Sequence, residues 1–280
     1  MAKPLSMKAQ RKESKLLMNG KIDVPVKSLN DYIQAILPFQ QRVLSQIHRF
    51  GTDRPALLFR GDKSDRRLVA KINDTIRQFK IKRPISFEGD CLKTVRCTLG
   101  VRYSDWDAMV LAQHHGVKTR FLDWTSNSLV ALFFGIGDVA DERKNCKVWL
   151  LETNDDDFDT DEACQRPIPE GKTGRTVIIT PRQIDSRVLA QDSYMMRQVY
   201  VYDKEGNLQI EPVEENDTFR GRLHCLSIDF GDAKENVRKE LMQYGYSKDS
   251  VLPIEVSWDD IRNKCCTLTA QYSTAKNAAR

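Results

Sequence analysis

Apolar residues at helical spacing fill the first half of the chain, and short extended runs fill the second. Ser28, with Asp31 three residues on, reads as the cap of a helix with Tyr32, Ile33, Ile36 and Leu37 as its stripe, broken at Pro38. A second helix carries Val43, Leu44, Ile47 and Phe50 and stops at Gly51. Residues 56–60 form a short strand of the buried kind, ended by Gly61. Ser64 is placed to cap a helix with Leu68, Ile72, Ile76 and Phe79 on one face. Another helix starts at Ser104, where Asp107 completes a capping box. Trp106, Met109, Val110 and Gln113 face together, and Gly116 ends it. Residues 121–124 are extended, and Thr125 or Ser126 caps a helix over 129–136 that is apolar nearly all round and therefore buried. Beyond it, 148–152, 176–180, 198–202 and 223–230 read as strands, with 203–207 a loop between two of them. Residues 232–244 form the last helix, with Val237 and Leu241 inward and Gly245 behind it. Helices first and strands later predict an α+β architecture rather than alternating βαβ units.

No internal repeat and no Gly/Ser linker divides the 280 residues. The expected organisation is one continuous domain over 28–280, helical in its N-terminal part and strand-rich in its second half, behind a basic arm over 1–27. That arm begins with Lys3, Lys8, Arg11, Lys12 and Lys15 against Glu13. The longest apolar stretch, 129–137, falls short of the roughly 18 residues that span a bilayer, and no secretory h-region is visible. A soluble, cytoplasmic protein with no membrane partner is expected. The 44 Lys and Arg exceed the 39 Asp and Glu by only five, too little to define a partner. The acidic run 152–162 reads as a surface loop, without the Gly and terminal Glu of a calcium loop. Seven cysteines with no C-x-x-C indicate reduced thiols and no metal site. Neither a dinucleotide-binding G-x-G-x-x-G nor a P-loop follows a strand, which disfavours dehydrogenase and NTPase chemistry.

Chemistry-bearing residues concentrate in two apolar settings. Arg60 ends a buried strand and Gly61 follows it. The planar guanidinium suits a phosphate or carboxylate ligand, and a glycine permits close backbone approach; an internal salt bridge explains the pair equally well. Residues 113–125, QHHGVKTRFLDWT, hold two imidazoles, a guanidinium, a carboxylate, hydroxyls and an indole in one helix–loop–strand connection. His114 and His115 lie at a helix C-terminus, where the dipole favours protonation. Being adjacent, they diverge, so a metal hydrolase built on His114, His115 and Asp123 is the weakest reading. A capping role competes for Asp123 and Thr125.

The run QHHGVKTRFLDWTSNSLVALFFGI closely resembles the signature of the FRG domain family, named for a Phe-Arg-Gly motif that stands here as Phe59-Arg60-Gly61. Helix 64–80 and Glu88 fall where the family has an Arg- and Glu-containing helical region. Arg187 to Gln191 resembles its Arg-x-x-x-Gln motif, and LMQYGYSKDSVLPIEVSWDDI its closing pattern, so the likeness spans about 57–261. The Gly that usually follows the Gln is Asp192 here, with Tyr194 two residues on. The resemblance implies a distant relation to ADP-ribosyltransferases, with a split-sheet core, NAD as substrate, and a role as toxin or phage-defence effector. It implies Arg60, His115 and Gln191 as catalytic residues. Arg60, Gly61, Gln113, His115, Thr119, Arg120, Trp124, Thr125, Ser126 and Tyr194 would hold NAD. Thr125-Ser126-Asn127-Ser128 is similar to the strand–serine–helix element bracing a nicotinamide pocket. Gln191 stands where many transferases have a catalytic Glu, and an amide can hold a hydroxyl but cannot act as a base. The acceptor would be RNA, DNA or protein, and a neutralising antitoxin or chaperone would accompany a toxic enzyme. The alternative is a non-catalytic module binding a phosphate-bearing ligand or nucleic acid.

Overall fold

The computed structural model describes residues 21–47, 54–63, 66–99, 103–138, 143–159, 174–253 and 266. The architecture is α+β, with eight helices among the described residues and a mixed arrangement of strands. The chain forms two compact units, each assembled from three separate segments.

The first unit comprises 1–65, 125–155 and 217–247. Its strands run in the order β1 (Lys21–Pro25), β9 (Leu223–Asp229), β4 (Asn145–Glu152) and β2 (Leu57–Asp62). The β1–β9 pair is parallel and the others are antiparallel. Helices α1 (Leu29–Ile47), α5 (Ser128–Ile136) and α7 (Lys234–Gln243) complete the unit. Its core joins Tyr32, Ile36 and Phe39 of α1, Ala131 and Leu132 of α5, and Val237 and Leu241 of α7 to Phe59, Val148, Leu150, Leu226 and Ile228.

Ser28 and Asp31 cap α1 reciprocally: Asp31 Oδ2 accepts the Ser28 N–H at 2.9 Å, and Ser28 Oγ accepts the Asp31 N–H at 3.3 Å. The expected break at Pro38 does not occur, because α1 continues through it to Ile47. Pro38 stands on the exposed side of the helix. The buried positions, Leu29, Tyr32, Ile36, Phe39 and Val43, form one uninterrupted stripe across it. Ile33 and Leu44, expected inward, are exposed; Phe50 and Gly51 lie outside the described residues. Gly61 does not end β2, since Gly61 and Asp62 still pair with Val148 and Lys147. Helix α5 is less enclosed than expected, with Leu129, Phe133 and Phe134 partly exposed.

The second unit comprises 66–124, 156–216 and 248–280. It contains α2 (Ile72–Gln78), α3 (Pro84–Leu99), α4 (Asp105–His114), α6 (Ser186–Ala190) and α8 (Lys248–Val251). Strands β3 (Phe121–Thr125), β6 (Ser193–Arg197) and β5 (Val177–Ile179) lie in that order, and β7 (Tyr200–Tyr202) and β8 (Leu208–Ile210) make a hairpin. Thr125, the last residue of β3, belongs to the first unit and pairs there with Phe59. The Ser104–Asp107 capping box opens α4 as expected, and Gly116 at φ 86° follows it.

The helix expected from Ser64 is shorter, beginning at Ile72; Ser64 itself lies outside the described residues. Side chains hold the backbone before it: Glu214 accepts the Leu68 N–H at 2.9 Å and Gln198 the Ala70 N–H at 2.6 Å. Helix α3, strands β1, β6 and β8, and the short helices α6 and α8 were not expected from the pattern. In α3 the signal was present, with Pro84 at the first position and Phe87, Cys91, Leu92 and Val95 buried at helical spacing.

Candidate functional site

Alternation along β2 sends Leu57, Phe59 and Gly61 to the helix-covered face and Leu58 and Arg60 to the other. Helix α5 crosses directly over Gly61. A Cβ there would lie 1.8 Å from the Ala131 carbonyl oxygen and 2.6 Å from the Gly135 nitrogen. The close approach that Gly61 permits is therefore an approach of α5. Arg60, half-buried, stands opposite Trp149 of β4, and the Lys147 ammonium lies 5.8 Å from the Trp149 ring centre. Two cations and an indole thus share one sheet face. The Trp149 Nε1–H is buried with no hydrogen-bond partner among the described residues.

The segment 125–128 is wired as a helix start. Thr125 Oγ1 accepts the Asn127 N–H at 2.9 Å, and Asn127 Oδ1 accepts those of Leu129 and Val130 at 3.0 and 3.3 Å. Asn127, rather than Thr125 or Ser126, is therefore the cap of α5. Its amide donates to the Tyr246 hydroxyl at 3.1 Å, while the Tyr32 hydroxyl donates to the Ser128 carbonyl at 2.8 Å. Thr125 is buried and Ser126 exposed.

In the second unit, the loop after α4 is held by its own polar residues. Thr119 donates to Gln113 Oε1 at 2.7 Å, Gln113 Nε2 donates to Asp123 Oδ2 at 3.1 Å, and Thr119 Oγ1 accepts the Phe121 N–H at 3.2 Å. Arg120 is buried, and its Nε donates to Glu88 Oε2 at 2.7 Å while its own N–H reaches Glu88 Oε1 at 3.1 Å. The Tyr200 hydroxyl donates to the same carboxylate at 3.3 Å, and the guanidinium lies 4.5 Å from the Tyr200 ring centre. Burial works against the Arg120 charge, but the Glu88 carboxylate outweighs it and raises the guanidinium above its ordinary value. Burial, with the Glu88 charge, pushes the Tyr200 phenol well up. Arg120 and Glu88 thus form an internal buried ion pair. Trp124 is also buried, at 2% exposure.

The His114 Nδ1 lies 3.0 Å from Asp185 Oδ2, and both side chains are nearly enclosed. Asp185 also caps α6 through the Val188 N–H at 2.9 Å, and Arg187 donates to the His114 carbonyl. Burial alone would raise the Asp185 carboxyl, but the His114 hydrogen bond and charge and the Val188 and Arg187 N–H groups hold it below its ordinary value. His115 is half-buried where α4 ends. Gln191 is buried at the end of α6, its Nε2 donating to the Val251 carbonyl at 3.0 Å. Asp192 takes φ 44°, a left-handed conformation suited to glycine and tolerated by aspartate. Tyr194 is half-buried edge-on to Phe158, and burial followed by the Asp192 charge raises its phenol. Among the described residues, no group of three or more His, Cys, Asp and Glu side chains is placed to hold a metal ion.

Sequence reasoning missed Lys147 and Trp149, brought to Arg60 only by strand register, and Asp185, whose one local signal is its position ahead of α6.

These elements define an α+β protein whose Phe-Arg-Gly strand is paired within its first unit and whose QHHG helix end is tied by side-chain hydrogen bonds within its second. Residues 55–144 match the family model of the FRG domain, so the chain carries an FRG domain over that span. Arg187 to Gln191 lies beyond it. Neither a curated protein nor a solved structure matches the chain.

Proposed function

We propose that the chain is an NAD-consuming ADP-ribosyltransferase acting on a macromolecule. The observation that carries this reading, beside the FRG domain, is the Arg60–Trp149–Lys147 face. A guanidinium fork and an ammonium beside an indole suit a pyrophosphate. Cleaving the nicotinamide–ribose bond passes through an oxocarbenium-like state, as in glycoside hydrolysis, and binding of the pyrophosphate holds the substrate for it. Gly61, Thr119, Arg120, Trp124 and Thr125 act as scaffold in this reading. His115, Ser126 and Tyr194 keep the NAD-contacting roles implied by the resemblance. Gln191, whose Nε2 donates to the Val251 carbonyl, keeps the role that the resemblance implies at the position of the transferase carboxylate.

We place the enzyme in the cytoplasm as a toxin or phage-defence effector, held in check by an antitoxin or chaperone. No helix among the described residues is long and apolar enough to cross a membrane. Cys91, Cys97, Cys146, Cys225 and Cys266 are in no disulfide among the described residues, which suits a reducing compartment.

One feature favours the second reading, a non-catalytic module: Gln191, which the resemblance puts at the position of the transferase carboxylate, is an amide that cannot act as a base. Incubation with labelled NAD and total RNA, DNA or cell protein separates the two. Transfer requires label on one acceptor class and nicotinamide release, both at least about 100-fold weaker in Arg60→Ala with an unchanged melt. No nicotinamide release with any acceptor overturns the transferase and leaves the module.

A further inference from the structure

Residues 66–83 hold Arg66, Arg67, Lys71, Arg77, Lys80, Lys82 and Arg83 against Asp74 alone. That local excess of six exceeds the +5 of the whole chain. The charges are outward because α2 buries Ile72, Asn73, Thr75 and Ile76 and the chain after it buries Ile81 and Pro84. All seven cations are exposed.

The run divides into two parts. At its start the positive charge is answered within the same unit: Arg66 pairs with Asp74 at 2.9 Å, Arg67 pairs with Glu215, and Glu214 holds the Leu68 N–H. From Lys71 onward it is not. Among the described residues, none of Lys71, Arg77, Lys80, Lys82 and Arg83 makes an ion pair or side-chain hydrogen bond. Four of these five fall within 77–83. Folding leaves a like-charged cluster uncompensated, which costs stability unless a polyanion supplies the counter-charge.

An exposed ring lies on the hairpin that α2 holds, where Asn73 Oδ1 accepts the Ile210 N–H at 3.0 Å and Ile210 pairs with Tyr200. Tyr200 reaches Glu88, little more than one turn into the helix that starts after Arg83. Tyr202, on the same face of β7 two residues on, is 49% exposed. A basic track with an exposed aromatic on the adjoining hairpin is the combination that holds single strands, phosphates on the cations and an unstacked base on the ring. An acidic peptide would use the charges but not the ring.

We infer that the Lys71–Arg83 ridge binds the phosphodiester backbone of a single-stranded polynucleotide; resting on the transferase reading, this strand is the acceptor. The test titrates the full chain, without NAD, into labelled single-stranded RNA and DNA 20-mers, a duplex DNA and a polyglutamate peptide over a range of salt. One variant carries Arg77, Lys80, Lys82 and Arg83→Gln, and a charge-matched control carries Lys21, Lys27, Lys239 and Lys248→Gln. The expected result is single-strand binding whose log K against log salt loses a slope of about 3 in the ridge variant, at about 0.7 per phosphate contact. The control keeps its slope, the ridge variant, relieved of like-charge repulsion, melts no lower than the parent, and Tyr202→Ala weakens the single strands about tenfold or more. No single-strand binding, equal losses in ridge and control variants, or preference for duplex or polyglutamate overturns the inference. Because NAD is absent, a failed turnover assay has no bearing on the outcome.

Discussion

A methyl group at position 61 would enter the backbone of α5, and backbone cannot swing aside as a long side chain does. Gly61→Ala must therefore displace α5 or bend β2, at a cost of about 3 kcal/mol or more. Thermal unfolding checks this, and an unchanged melt would show that α5 yields freely. Lys80 gives the opposite sign. It follows α2 at φ 50°, exposed, while the Ile81 N–H closes the helix on the Ile76 carbonyl at 3.0 Å. A left-handed lysine is strained where glycine is not, so Lys80→Gly is expected to gain about 1 kcal/mol, raising the melting temperature by a few degrees. Loss of stability would mean that the lysine stem packs in a way its exposure hides. Asp192 shares the conformation at the position the FRG resemblance gives to glycine.

Helix ends decide most of what the elements do. Asp185 ties the end of α4 to the start of α6, accepting from His114 and from the α6 backbone at once. Its carboxyl is held below its ordinary value of 3.8, so the folded state binds the proton less tightly than the unfolded chain. The stabilisation is then complete above that ordinary value and disappears as pH falls through the lowered one. Against Asp185→Asn, the parent should be more stable by about 1–2 kcal/mol at pH 6, a margin that shrinks below about pH 4. Melting curves from pH 7 to 2.5 measure it, and a margin independent of pH would remove the charge from the account. Caps of this local kind were legible in sequence: Ser28 with Asp31 and Ser104 with Asp107 both form as expected. Pro38 misled because its ring points to solvent while the buried stripe runs past it. Gly61 and Arg120 were legible as important but not in purpose, since Ala131, Glu88 and Tyr200 reach them only through tertiary contact.

Across the whole molecule, each compact unit draws its residues from three separate segments of the chain. The FRG span 55–144 holds β2, α2, α3, α4, β3 and α5 but ends one residue before β4. Without β4, six register positions of β2 lose their partner, and Arg60 loses Trp149. Without Gln198, which is fully buried, the Ala70 N–H and Leu68 carbonyl are left unpaired. Glu88 loses the Tyr200 hydroxyl and His114 loses Asp185. Each orphaned buried group costs about 1–3 kcal/mol, and a typical domain has only about 5–15 kcal/mol in all. A 55–144 fragment is therefore expected to show no cooperative melt by circular dichroism and collapsed amide dispersion in NMR, while the full chain unfolds cooperatively. The matched span is then the recognisable part of a larger folding unit, and Arg60 and the QHHG segment can be tested for function only with the later strands present. A fragment that melts cooperatively with dispersed amides would overturn this, and would require β2 and the buried Arg120–Glu88 pair to be stable without β4 and Tyr200.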